Sequence, residues 1–405
     1  MSFEDTAAVR TALVIGGGIA GPVAATALRK AGIDARVYEA YPGPAYGIGS
    51  GLGLAPNGLA ALDVLGAGDA VRALAAPMRH QAASIGGKYV TTPSLTGVEP
   101  LHLVDRFALH EVLHDHAVAA GVPFEYNKRL VQVDERADGV TAHFADGSTA
   151  TADVLVGADG IRSTVRGLID PNAPGPKFLN MLGFGGQSHC SVDIPPETMV
   201  FAFGKKAYYL YWTMPDGTVG WGANLPYEQY LSLTEARAVP AEEWLRVLRE
   251  IYVDDVPGAE LANNTTAENL EVVGALHVMP PVPHWYRGRM VLTGDAIHAP
   301  SNTSGQGASL AIESAIELAR CLRDIADPTT AFATYEAMRR PRVEAVAARV
   351  ARMNQTKAAG PIARKAMYLF MPLMFKAMNP EKTFGAEQRF RIDWDAPVRP
   401  VRVAA

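Results

Sequence analysis

Apolar and polar positions change period several times along the chain, and those changes outline its elements. Ala12–Ile15 is a short unbroken apolar run, the pattern of a strand covered on both faces. Glycines follow, then the small-residue helical pattern Ile19–Ala31 with Gly32 as its stop. Ala35–Glu39 reads as a second strand. Pro56–Leu65 and Asp105–Ala120 carry the helical period. Val122–Tyr126, Leu130–Asp134, Val140–Ala145 and Ala150–Val156 read as a run of strands, with Asp146-Gly147 as a hairpin turn.

A Pro/Gly/Asn-rich break at Asp170–Pro176 ends this α/β texture. From Lys177 to Glu271 aromatic and β-branched residues dominate, as in KAYYLYWTM, and predict an antiparallel sheet with a hairpin at Pro215-Asp216-Gly217. A helix follows at Ala241–Ile251. Pro280–Pro283 marks a return: Met290–Leu292 reads as a strand, a helix starts near Gly305, and Thr329–Met378 is helical. The expected organisation is an α/β domain split between residues 1–176 and 280–355. It is interrupted by a β-rich insertion at 177–279 and followed by a helical segment at 356–405.

Composition narrows the class. With 48% hydrophobic and 20% charged residues the chain has material for a real core, which excludes disorder as its main state. A net charge of −5 argues against nucleic acid and anionic membranes as partners. Two cysteines, Cys190 and Cys321, exclude a disulfide framework or a Cys-rich metal site. The polar Met1–Arg10 segment lacks the pattern of a signal peptide. No apolar run reaches the roughly 18 residues of a membrane span. Ala366–Met378 is shorter, is broken by Pro372, and reads as a core-packed helix or an adaptable Met-rich wall over a pocket. These features point to the cytoplasm.

The hexapeptide Gly16-Gly17-Gly18-Ile19-Ala20-Gly21 follows a strand, opens a helix, and precedes a strand ending in Glu39. That context is the dinucleotide-binding fingerprint G-x-G-x-x-G. Gly16 permits a tight turn, Gly18 lets a pyrophosphate reach the backbone, and Gly21 lets helix and strand pack closely. Ile19 and Ala20 begin a helix whose free N–H groups attract an anion. Glu39 suits the adenosine ribose hydroxyls. The fingerprint fixes an ADP group without choosing between NAD and FAD.

Two further segments narrow the choice. Val156-Gly157-Ala158-Asp159-Gly160-Ile161-Arg162-Ser163, with Arg166 after it, ends a strand at Asp159 and Gly160, where an open α/β sheet has its ligand crevice. Leu292–Pro300 repeats the pattern with Gly294 and Asp295, and Gly305, Gln306 and Gly307 follow. There the backbone can pass close to a planar ligand, and a helix start can stabilise negative charge on it. His298 has no partner at metal-ligand spacing and reads as a structural histidine, so no metal is expected.

Together, over about residues 10–355, these segments resemble the single-component FAD-dependent aromatic hydroxylases, the para-hydroxybenzoate hydroxylase-like group. Arg106, in Asp105-Arg106-Phe107, matches the family arginine that reaches the flavin. The resemblance implies the α/β class: a Rossmann-like FAD-binding domain (GR2-type) interrupted by a β-sheet substrate domain, with C-terminal helices. It implies FAD as cofactor, NADH or NADPH as co-substrate, and O2 adding at flavin C4a before hydroxyl transfer. The partner is then a small aromatic or polyketide-like substrate, with no integral membrane association, in a monomer or homodimer.

Only one nucleotide fingerprint is present, so the nicotinamide docks without a Rossmann domain of its own. The Gly47–Gly53 loop is expected to line the flavin site. Where family members carry a proline before Gly305-Gln306-Gly307, this chain has Asn302, and the nearest proline is Pro300. On the substrate side the candidates are Gln187, His189, Tyr211, Trp221 and Asn224 of the insertion, together with Pro300. A non-catalytic flavin-binding pathway protein and a related flavin-dependent reductase remain as alternatives at this stage. The W-x-W-x-I-P motif of flavin halogenases is absent.

Overall fold

Thr11–Ile15 is the axis of the fold. In the computed structural model, which describes residues 8–44, 51–301, 305–357, 370, 373 and 377–401, it lies inside a six-stranded sheet. It pairs in parallel with Asp34–Tyr38 on one side and Val154–Gly157 on the other. Met290–Leu292 adds in parallel beyond Val154–Gly157, and Phe124–Glu125 beyond Asp34–Tyr38. The inner strands are buried on both faces, as their unbroken apolar sequences require. Segments before and after the insertion therefore share one sheet. The Ala20–Lys30 helix packs between the Arg106–Ala119 and Gly307–Asp324 helices.

The strand expected at Ala150–Val156 is two strands. Thr149–Ala152 joins an antiparallel three-stranded sheet with Gly139–Phe144 and Leu130–Arg136, whereas Val154–Gly157 enters the central sheet. Between them the Asp153 carboxylate accepts the backbone N–H groups of Arg10 and Thr11, both at 2.8 Å. That anchor turns the chain from one sheet into the other.

The second large sheet has seven strands in the order Thr265–Val278, Lys177–Ser188, Val219–Pro226, Tyr208–Thr213, Thr198–Phe203, His80–Ile85 and Lys88–Thr91. The first five lie in the expected insertion. The last two precede it, so this sheet is not confined to residues 177–279. His80–Ile85 pairs in parallel with Thr198–Phe203. Its sequence HQAASI has little strand preference, and the partner strand makes it a strand.

One face of this sheet is covered by the Ala241–Tyr252 helix. Trp244, Leu245, Leu248 and Tyr252 form a second core with Phe184, Tyr209, Tyr211 and Trp221. At the C-terminal end the Pro328–Lys357 helix packs on Gly307–Asp324. The tail returns across the latter, where Arg320 donates to the Ala396 carbonyl at 2.8 Å. Among the described residues no helix is long and apolar enough to cross a membrane. Ala366–Met378 lies almost wholly outside the described residues.

Candidate functional site: three turns facing a glycine-paved sheet

The parallel strands bring the turns of the first two motifs together at their carboxyl ends, where ligands bind in open α/β sheets. Gly16 has φ 104°, and a Cβ there would stand 2.5 Å from the Ala158 carbonyl oxygen. The first turn thus rests directly on the second. A Cβ at Gly21 would collide with the Gly16 carbonyl, so only glycine lets the helix start this close to the strand. Gly18 differs: a Cβ there would point into open space.

The Glu39 carboxylate accepts the N–H groups of Gly17 at 2.6 Å and Tyr41 at 3.0 Å. Buried His110, on the Arg106–Ala119 helix, donates from Nε2 to the Gly17 carbonyl at 2.6 Å. Nothing in the sequence pattern singled out His110, because its link to the turn is purely tertiary.

In the second motif Asp159 has its carboxylate occupied by its own helix. It accepts Ser163 Oγ–H at 2.5 Å, Thr164 N–H at 2.7 Å and Val165 N–H at 3.1 Å. Its contribution to the crevice is therefore the turn it fixes, with Gly160 at φ 76° and open space beside it. Burial raises the Asp159 pKa, and Ser163 with the helix N–H groups opposes the rise. Buried Arg166 donates to the Ala296 carbonyl at 3.0 Å and the Ile161 carbonyl at 2.9 Å, tying the second motif to the third.

Gly294, at φ 62°, wedges the third turn between the other elements. A Cβ there would lie 2.8 Å from Ala20 Cβ and 3.4 Å from Ala311 Cβ. Asp295 makes no hydrogen bond among the described residues. Burial raises its pKa, and the charge of Arg106 draws it down. Arg106 is exposed and also lacks a hydrogen-bonded partner there. The two opposite charges lie close enough to interact.

Gln306 is buried, and its Oε1 accepts the Asn57 amide at 3.0 Å. It locks the start of the Gly307–Asp324 helix through its side chain and faces the protein. Gly305 lies beside Leu101, and Gly307 beside half-buried Pro300. His298 is buried and bonded to Ser314 Oγ at 3.1 Å, with its pKa depressed to about 3 by burial and the Arg339 charge. Among the described residues no His, Cys, Asp or Glu cluster could hold a metal. Asn302 and most of the Gly47–Gly53 loop lie outside the described residues.

The insertion sheet separates its candidates by face. Tyr211 stacks on Tyr209, and Trp221 is edge-on to Tyr252 and donates to Thr265 Oγ1 at 3.0 Å. Both sit in the core under the Ala241–Tyr252 helix, so the expectation that they line the pocket is corrected. Alternation along the strand sends odd positions of Tyr208–Thr213 toward that helix. Gln187 donates to Thr218 Oγ1 at 2.5 Å and holds the hairpin, and exposed His189 is bonded to Asn269 at 3.1 Å. Neither is brought to the crevice motifs by any described contact. Asn224 is buried on the opposite face, in register with Tyr208.

The opposite face carries glycines at its centre. One cross-strand row reads Glu271, Gly185, Gly222, Leu210, Phe201 and Ala83. Flanking it, the Trp212 indole lies over Gly220, and Leu276 lies over Gly183. In this row Gly185 and Gly222 are bordered by Glu271 and Leu210, roughly 14 Å apart at a strand spacing of about 4.8 Å, and Leu210 lies 3.6 Å from the place of a Cβ at Gly222. Glycine inside a strand weakens it, and close approach of a ligand is one physical reason to keep it.

The face lies within electrostatic reach of the start of the Arg106–Ala119 helix. Burial pushes the Glu271 pKa up, Arg237 opposes the rise, and the charge of Asp105 adds to it. Asp105 caps the helix that begins with Arg106, accepting the Ala108 N–H at 2.9 Å.

Three glycine-bearing turns brought together by one parallel sheet define a flavin-type dinucleotide-binding oxidoreductase. The chain belongs to the FAD binding domain family, whose model matches residues 9–350. Its relatives include FAD-dependent aromatic monooxygenases. It is 30% identical over 358 residues to a 6-hydroxynicotinate 3-monooxygenase of Pseudomonas fluorescens, covering 82% of this chain and 88% of that protein. It is 30% identical to an FAD-dependent urate hydroxylase of Klebsiella pneumoniae, covering 82% and 86%. The fold matches that of Klebsiella pneumoniae HpxO complexed with FAD and uric acid, at TM-score 0.80 and 24% identity over 94% of this chain and 96% of that one.

Proposed function

We propose that this chain is an FAD-dependent hydroxylase that consumes NADH or NADPH and O2 and acts on a small aromatic molecule bound between the nucleotide turns and the Gly185–Gly222 face of the insertion sheet. The observation that carries the reading is open space at Gly18 in the first turn, together with Asp295 and Arg106, which interact electrostatically and have no hydrogen-bonded side-chain partner among the described residues.

The residues fit FAD. Gly18 and the N–H groups of the Ala20–Lys30 helix start receive the pyrophosphate, since nothing fills the space there. Glu39 is placed for the ribose hydroxyls, and Asp295 with Arg106 for the ribityl and flavin end. Bound FAD supplies the electron transfer and oxygen activation that no side chain can. The positive end of the 18-residue Gly307–Asp324 helix stabilises negative charge developing beside Gly305–Gly307. Leu210, Trp212 and Leu276 supply apolar surface on that face against which an aromatic ring packs. The nicotinamide has no fold of its own and binds transiently to the same crevice.

The test is spectroscopic and kinetic. The full chain loaded with FAD should oxidise NADH or NADPH slowly alone and much faster with a suitable hydroxylated aromatic compound. Hydroxylated product should follow by mass. Bound FAD that neither nicotinamide reduces would favour a non-catalytic flavin carrier.

A further inference from the structure

Two side chains from different elements hold Gly17 by both of its polar groups. The Glu39 carboxylate accepts its N–H at 2.6 Å, and His110 Nε2 bonds its carbonyl at 2.6 Å. A carbonyl only accepts, so Nε2 carries the proton. Nδ1 of the same ring is buried and has no partner among the described residues. A buried nitrogen left unsatisfied calls for a reason, and the hydrogen bond this ring does make is to Gly17. The ring stacks on His114, with centroids 6.3 Å apart, and His114 is itself bonded to Tyr126 Oη at 2.8 Å and Asp115 at 2.9 Å. The bond acts on more than Gly17. The Gly17 carbonyl and the Gly18 N–H belong to one trans peptide and point in opposite directions. A hydrogen bond accepted by the carbonyl polarises that unit and strengthens its N–H as a donor. The Gly18 N–H has no partner among the described residues, and the place of a Cβ at Gly18 is empty.

We propose that His110 is a positioning residue for the cofactor: its grip on the Gly17 carbonyl orients the Gly18 N–H, and strengthens it, as a donor to the FAD pyrophosphate. This rests on the reading that the three turns bind FAD. Neither Gly17 nor Gly18 has a side chain to restrict the peptide between them, so without an anchor that peptide has many orientations open to it. Glu39 fixes the peptide before it, and His110 fixes this one. The anchor comes from the helix that also carries Arg106, one turn earlier, whose charge acts on Asp295 of the third turn. One rigid element thereby sets the donor of the first turn and the charge beside the third.

The experiment uses the full chain stripped of FAD, with His110→Gln, His110→Asn and His110→Leu. A glutamine amide nitrogen stands as many bonds from Cα as histidine Nε2, whereas that of asparagine reaches only as far as Nδ1. Circular dichroism reports folding, flavin fluorescence titration gives the FAD dissociation constant, and the phosphorus NMR spectrum at saturating FAD reports the pyrophosphate. Leucine and asparagine should weaken FAD by about tenfold or more and shift the pyrophosphate resonances. Glutamine should restore the affinity to within about threefold of wild type, with wild-type resonances. Wild-type affinity and resonances in folded His110→Leu overturn the assignment. So does a folded His110→Gln as weak as His110→Leu, because the donor is then not what matters. Failure of both His110→Leu and His110→Asn to fold also overturns it, making the histidine a requirement of the helix packing. A wild type that binds no FAD overturns the functional reading beneath the assignment, and the assignment with it.

Discussion

The two walls of the crevice both depend on glycine, but for opposite reasons. On the nucleotide side, Gly16 and Gly21 are glycine because backbone already occupies the place of a Cβ, and the collision partner is a carbonyl oxygen in each case. On the sheet side, Gly222 has only ordinary contact around a would-be Cβ, 3.6 Å from Leu210. The first kind of glycine builds the protein, and the second leaves a space. The comparison teaches that a glycine's role is read from what its missing Cβ would meet.

The sharpest way to break that comparison is to substitute within the first turn. Gly21→Ala should fail to give a folded, FAD-loaded protein, because the clash is with backbone and cannot relax cheaply. Gly18→Asp should fold with an almost unchanged melting temperature and lose FAD, because its side chain enters open space where the pyrophosphate binds. Melting curves and flavin content of the two variants read both outcomes.

On the sheet side, Gly222→Leu should keep FAD and fold while weakening aromatic probe binding by roughly tenfold or more, about 1.4 kcal/mol, because its side chain covers the face on which the ring is proposed to pack. Flavin difference titrations measure it.

A pH series tests the support beneath the third turn. His298 is neutral in the fold, with a pKa of about 3, and regains an ordinary value near 6.5 on unfolding. The unfolded chain therefore binds the extra proton first. This contribution is complete above about pH 6.5 and is lost as pH falls from there toward 3, by up to roughly 1.4 kcal/mol per pH unit. Urea unfolding of wild type and His298→Asn should show a shallower acid slope in the variant.

The smallest effect on activity is expected at Trp221. Trp221→Phe removes the hydrogen bond to Thr265 and part of a fully buried side chain, and should cost about 2–3 kcal/mol of stability with turnover nearly unchanged. A large loss of turnover in a folded variant would return Trp221 to the pocket.

Legibility in the sequence follows the same divide. The nucleotide turns depend on local backbone needs, so Gly16, Gly18, Gly21, Gly294 and Gly305 stand out at fixed spacing after strands. The Met290–Leu292 strand was legible for the same reason, since it carries a recognisable buried-strand pattern. The roles of Asp159 and Gln306 were less legible. Each sits in a motif, yet each side chain bonds back into the protein, and only tertiary geometry shows that.

The sheet side was hardest. Tyr211 and Trp221 attract attention as large aromatics, but facing depends on register. A one-residue offset exchanges the two faces of a strand. Thr265–Val278 shifts register against Lys177–Ser188 between Gly183 and Phe184, so the placement of Glu271 could not be counted from the sequence. The contribution of His80–Ile85 to the same sheet was hidden because a distant partner strand, not its own composition, decides it.

The central claim is that the three turns form an FAD site open at Gly18. The most direct measurement is the visible absorption spectrum of the full chain after incubation with FAD and gel filtration, beside that of Gly18→Asp. The account predicts a yellow wild-type protein with one flavin per chain and a colourless, folded variant. A wild type that retains no flavin, or a Gly18→Asp variant that retains it stoichiometrically, would contradict the account.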